Sequence, residues 1–202
     1  MTKAQPVDWL KKPALGYMMN SGFSDVNADI LANLISEIDA EFSEAVFCMP
    51  KPSLHITLLD WIAPLTDYDG QDKDRLYETI SGDYDRAMAD ILSSLGPIEV
   101  HFDEIVVSPN TIFVRGHDDG SFQKIREQFL EKVELLPGTK LPPQIIHSSL
   151  ARFTKPIDLG KINAFMASKA VNIIETVTSF RLVRSTREPQ LEFEVLKQYQ
   201  LK

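Results

Sequence analysis

The sequence predicts an α+β fold made of two related lobes that face each other across a cleft. Three observations predict it. Apolar periodicity gives the order strand–helix–strand twice along the chain. The pair His55 and Thr57 on one predicted strand recurs as His147 and Ser149 on another. Laying the two halves over each other at that histidine offset of 92 residues also brings Pro50 onto Pro142, Leu58 onto Leu150 and Trp61 onto Phe153, as an internal duplication would.

The apolar run from Ala14 to Met19, bounded by Pro13 and Asn20, reads as the first strand. Ser24 or Asp25 then opens a helix, with Val26, Ile30, Leu31, Leu34, Ile35 and Ile38 at helical spacing,. Ala45 to Phe47 and Ser53 to Leu59 are strands on either side of the breaker Pro50-Lys51-Pro52,. A long charged helix runs from Lys73 to Ser94, its apolar face carried by Leu76, Ile80, Tyr84, Met88, Ile91 and Leu92,. Gly96-Pro97 ends it. Ile98 to Val107 alternates as a strand does, and Pro109-Asn110 turns the chain into a strand from Thr111 to Arg115,. Phe122, Ile125, Phe129, Leu130 and Val133 mark a helix that stops near Pro137-Gly138. Ile145 to Phe153 is a strand, Leu159 to Lys169 a short helix, and Val171 to Arg184 and Leu191 to Tyr199 are strands joined around Glu188-Pro189. The expected organisation is one domain, residues 1–202, of two pseudo-symmetric lobes. They divide roughly into 1–97 and 98–202, with exchange of strands between them allowed.

Composition narrows the function. Apolar residues make up 44% and charged residues 25% of the 202 residues, as in an ordinary globular protein,. No apolar run reaches the length of a membrane span, and the first residues lack the apolar core of a secretion signal. Cys48 is the only cysteine, so no internal disulfide forms and a thiolate metal cluster is excluded,. These features lead to the expectation of a cytoplasmic monomer without membrane partners. The net charge of −8 argues against gripping long duplex nucleic acid, which needs a basic field,. A small nucleotide or an RNA end remains compatible with it.

Residues two apart on a strand lie about 6.6 Å apart on the same side. His55 with Thr57, and His147 with Ser149, can each set an imidazole and a hydroxyl around one phosphate. Imidazole titrates near neutrality, so one ring can be neutral and the other protonated, giving a base and an acid for an in-line displacement. The hydroxyls stabilise the charged equatorial oxygens. No metal or cofactor is needed, and neither His-Glu-x-x-His nor a cluster of Asp, His and Glu ligands is present,.

The segments His55-Ile56-Thr57-Leu58 and His147-Ser148-Ser149-Leu150-Ala151-Arg152 resemble the paired signatures of the two-histidine phosphoesterase superfamily, and within it the poorly characterised bacterial branch. That superfamily includes the RNA 2′,3′-cyclic phosphodiesterases once called 2′-5′ RNA ligases. The resemblance implies a bilobal α+β fold, with two antiparallel sheets flanking the cleft and helices outside. It also implies metal-independent hydrolysis of a cyclic phosphate or 2′-5′ phosphodiester bond of a nucleotide or RNA end. His55 and His147 would be the catalytic pair, with His147 assigned as base and His55 as acid. Thr57 and Ser149 would hold the phosphate. Ser149 stands where threonine is also common, which keeps the hydroxyl. Arg152 matches an arginine often found after the second motif, but strand parity turns it away from His147 unless the strand bulges.

Tyr17, on the first strand, is a candidate platform for stacking a base, with core packing as the competing reading. Arg184 and Arg187 could touch a phosphate or solvate a strand end. His101 reads as solvated, His117 as part of a turn, and Cys48 as a small buried hydrophobe. A non-catalytic nucleotide or RNA-end binder using the same cleft is the alternative to an enzyme.

Overall fold

In the computed structural model, which describes residues 2–202, alternation and helical spacing resolve into nine strands and four helices. In chain order they are β1 (Pro13–Gly22), α1 (Asp25–Phe42), β2 (Val46–Cys48), β3 (His55–Ile62), α2 (Lys73–Leu92), β4 (Ile98–Val107) and β5 (Thr111–His117). There follow α3 (Ser121–Lys132), β6 (Ile146–Phe153), α4 (Leu159–Met166), β7 (Ile173–Val177), β8 (Ser179–Arg187) and β9 (Glu192–Gln200). They form two antiparallel sheets, one ordered β3-β1-β8-β9 and the other β2-β6-β5-β4-β7. Helices α2 and α3 cover the first sheet, and α1 and α4 cover the second. The layers are interleaved: α1 follows a strand of the first sheet and packs on the second, while α3 does the reverse.

Where expectation and structure differ, parity supplies the reason. Val171 to Arg184 is expected as one strand, but the chain changes sheets after Val177. Burial falls on Ile173, Glu175 and Val177, then shifts to Phe180 and Leu182, so the inward face turns over near Thr178. In α1, Leu31, Leu34, Ile35, Ile38 and Phe42 face the core, whereas Val26 and Ile30 stay 71% and 43% exposed. The Ser24 hydroxyl accepts no hydrogen bond from the first turn of that helix and donates to Glu175 Oε2 at 3.0 Å. Instead the buried carboxylate of Glu175 accepts from Ser24 N at 3.0 Å and from Asn27 Nδ2 at 2.7 Å, placing a negative charge at the helix start,.

Trp61 is fully buried among rings, with Tyr84 edge-on at 5.5 Å and Phe129 stacked at 6.4 Å. Its indole N–H has no partner among the described residues. Trp61→Phe, which installs the residue type found at the duplicated position, Phe153, is therefore expected to cost under about 1.5 kcal/mol, because the lost volume is offset by removal of an unpaired donor. Trp61→Ala is expected to cost about 3–5 kcal/mol. Urea denaturation of the two variants tests the contrast.

Candidate active site

Both motif strands deliver their polar faces to one cavity between the sheets. It has a volume of about 310 Å³, and His55, Thr57, His147 and Ser149 all line it. Strand alternation accounts for the first two residues of each motif: Ile56 and Ser148 point inward to the packed side while their neighbours face the cavity,.

A repeated irregularity accounts for the rest. In the β1–β3 pairing, Met19 faces Leu59 and Asn20 faces Thr57, so Leu58 is an extra residue. In the β5–β6 pairing, Ile112 faces Ala151 and Phe113 faces Ser149, so Leu150 is an extra residue. Each bulge buries two consecutive apolar residues, Leu58-Leu59 and Leu150-Ala151, and returns the third to the cavity,. Arg152 therefore faces the same way as His147, and its Nη2 donates to Ser149 Oγ at 3.0 Å. At the matching point of the first motif stands Asp60, which also lines the cavity. Sequence reading passed over Asp60 because simple parity hides it. The shared offset of 92 residues was the signal that could have found it.

The bulge in β3 is held from outside. Arg126 of α3, only 2% exposed, donates from Nε to Leu58 O at 2.7 Å and from Nη2 to Thr57 O at 3.1 Å. Burial lowers its guanidinium to about 10, with Asp118 working the other way. This support too was not visible in the sequence.

Both imidazoles are lowered to about 4, chiefly by burial. The Ser53 carbonyl, 2.8 Å from His55 Nδ1, opposes the shift there, while Arg181, His147 and Arg152 add to it. At His147 the second cause is the positive charge of Arg152, followed by Arg126, against the backbone of Ile145. Enclosure and the neighbouring positive charges thus disfavour a charge on either ring,. With the Ser53 carbonyl accepting from Nδ1–H, His55 turns its other nitrogen to the cavity,.

Tyr17 does not reach the cavity. Its ring lies under α2, stacked on Tyr77 at 4.0 Å, and its hydroxyl bonds to Asp74. Met18, the next residue, lines the cavity in its place. The stacking platform is a core residue, turned to the helix side by alternation along β1. Arg184 donates to Asp74 at 2.8 Å and Arg187 to Glu192 at 2.8 Å, so both are bound to carboxylates away from the cavity. His101 and His117 stack on each other at 5.6 Å on the exposed face of β4 and β5. Cys48 is half-buried, its Sγ 3.7 Å from Ile35 O, and burial pushes its thiol up to about 12.

Among the described residues no group of three His, Cys, Asp or Glu side chains is placed to hold a metal ion, and no helix is long and apolar enough to cross a membrane. No protein-family model and no curated protein sequence matches the chain. Solved structures do. TT0787 of Thermus thermophilus superposes with a TM-score of 0.66 at 16% identity, covering 92% of this chain and 97% of that one. E. coli LigT complexed with 3′-AMP gives a TM-score of 0.55 at 12% identity, covering 95% and 99%. A structure described as a phosphoesterase gives 0.56 at 17%, covering 94% and 99%. At these identities the likeness is one of fold. The chain has the bilobal α+β fold of the two-histidine phosphoesterases, with two antiparallel sheets.

Proposed function

We propose that this protein is a two-histidine phosphoesterase that hydrolyses a 2′,3′-cyclic phosphate or a 2′-5′ phosphodiester bond of a nucleotide or RNA end without a metal, acting as a monomer in the cytosol. One observation carries the reading: two imidazoles and two hydroxyls from separated strands open onto one cavity of about 310 Å³. E. coli LigT, of like fold, is known in complexes with phosphate, 3′-AMP and ATP.

Water attacks the phosphorus and gives its proton to neutral His147. The bond to the leaving ribose oxygen breaks, and that oxygen takes a proton from His55, leaving a phosphomonoester and a free hydroxyl. Arg152 opposes a positive charge on both rings and a backbone carbonyl supports one on each, Ser53 at His55 and Ile145 at His147, so the assignment of base and acid follows the motif resemblance and not the local charges. Thr57 and Ser149 donate to the equatorial oxygens, and Arg152, already bonded to Ser149, adds positive charge on that side,. His55 takes up the proton it needs from solvent as the substrate binds, since a bound phosphate anion favours the imidazolium.

The test is a pH–rate profile on 2′,3′-cyclic nucleotides and a 2′-5′ dinucleotide, in excess chelator. With both rings lowered to about 4 in the free protein, kcat/KM is expected to peak below pH 6.5,. The kcat profile should lie at higher pH, because the anion is then bound. Loss of activity in chelator, or tight nucleotide binding with no product, would overturn the reading.

A further inference from the structure

The two halves of the site part company chemically at one pair of positions. The offset that matches Thr57 with Ser149 also matches Asp60 with Arg152. Equivalent bulges turn both into the cavity. Arg152 has a role beside the second hydroxyl, donating to it at 3.0 Å. Among the described residues Asp60 has no hydrogen-bonding or ion-pairing partner; burial pushes its carboxyl up to about 6, with only the more distant positive charge of Lys140 opposing.

Asp60 is not alone. Glu188, 9% exposed, lines the same cavity and is pushed up to about 7 by burial and by the charge of Asp60, against Arg152. Its carboxyl accepts a long hydrogen bond from Ser185 Oγ at 3.5 Å, and the backbone of Gln190 supports its charge. Gln190, 1% exposed, also lines this cavity. Its Oε1 accepts from Asn20 at 2.9 Å, but its amide nitrogen has no partner among the described residues. A half-buried carboxyl without a partner, a second one weakly bonded and an unpaired amide N–H leave hydrogen-bonding capacity open towards the cavity,. Such groups are complementary to a ligand carrying N–H donors next to a carbonyl oxygen.

Resting on the nucleotide reading above, we infer that Asp60, Glu188 and Gln190 form the base-reading end of the cavity and select guanine over uracil. The Watson–Crick edge of guanine offers two N–H donors for the carboxyls and a carbonyl for the Gln190 amide. Uracil offers one N–H between two carbonyls, and those carbonyls would face carboxyl oxygens. Pro64, Pro143 and Pro189 supply apolar walls for the flat faces of a ring.

The experiment compares 2′,3′-cyclic GMP with 2′,3′-cyclic UMP on the wild type, Asp60→Asn and Glu188→Gln, alongside calorimetric titration with 3′-GMP and 3′-UMP. For the wild type, kcat/KM is expected to favour the guanine substrate about tenfold or more, the discrimination that one bidentate contact supplies. Asp60→Asn should reduce the ratio to about threefold or less, through a higher KM for the guanine substrate, while raising the melting temperature. Selectivity lost from a more stable protein separates recognition from a structural role. Equal kcat/KM for the two bases in the wild type, or an unchanged ratio in both variants, would overturn the inference. If neither substrate turns over, the catalytic reading fails, and calorimetry still decides this one: tighter binding of 3′-GMP upholds it and equal affinities end it.

Discussion

Replacing His147 or His55 with alanine is expected to lower turnover of a cyclic phosphate by about 10²–10⁴-fold, the range that a positioned acid or base contributes. In the proposed mechanism each ring performs one proton transfer, so either loss removes half of the acid–base pair, and the double variant should be little worse than the poorer single one. Protein stability gives an independent check that the rings are placed as described. Both imidazoles are lowered from 6.5 to about 4 in the folded protein. Between those values the unfolded chain binds the protons and the folded one does not, so their contribution makes stability fall as pH drops from 6.5 towards 4. Asp60 and Glu188, raised to about 6 and about 7, work oppositely, favouring the folded state at low pH and losing that contribution as pH rises through those values. His55→Ala should therefore remove that residue's share of the loss, so that the variant's melting temperature rises relative to wild type as pH falls from 6.5 towards 4 and keeps a constant offset on the alkaline side,. Wild-type turnover by His55→Ala would remove that residue from the chemistry.

The second large effect is expected at Arg126. Arg126→Met keeps much of the side-chain volume but removes both donors to the bulge. It leaves the carbonyl oxygens of Thr57 and Leu58, now accepting at 3.1 and 2.7 Å, without these partners in a water-poor interior. Two such losses cost about 2–6 kcal/mol together, a large share of the margin of an ordinary domain. Because these carbonyls belong to the motif strand, the damage should also reach catalysis, with kcat falling more than KM rises as Thr57 loses its setting. Guanidinium denaturation gives the first number and steady-state kinetics the second. Should stability fall while kcat stays at the wild-type value, Arg126 supports the core and does not position the site.

The two histidine motifs were legible because both signals that carry them, alternation and internal repetition, are local or nearly so. The helices were legible for the same reason: their apolar faces recur over many turns. Arg152 and Asp60 were obscured by a single extra residue in each strand, which reverses the parity by which facing is read. Tyr17 illustrates the opposite error, since an aromatic on the right strand was one position from the cavity and pointed to α2. Arg126, Glu188 and Gln190 lie outside both motifs, and only tertiary contact brings them to the site. The strand expected from Val171 to Arg184 failed at the change of burial parity, which a continuous β-rich run conceals.

The interleaving of strands also constrains how the chain is made. In the first sheet β1 lies between β3 and β8, and Tyr17 meets Arg184 across 167 residues of sequence. A nascent chain leaving the ribosome must hold β1 and β3, with the apolar residues between them, until nearly the whole protein has emerged. Synthesis therefore exposes an unclosed sheet edge for most of its duration, and a truncated product lacking β8 and β9 would be a target for chaperones or proteases and not a smaller folded protein.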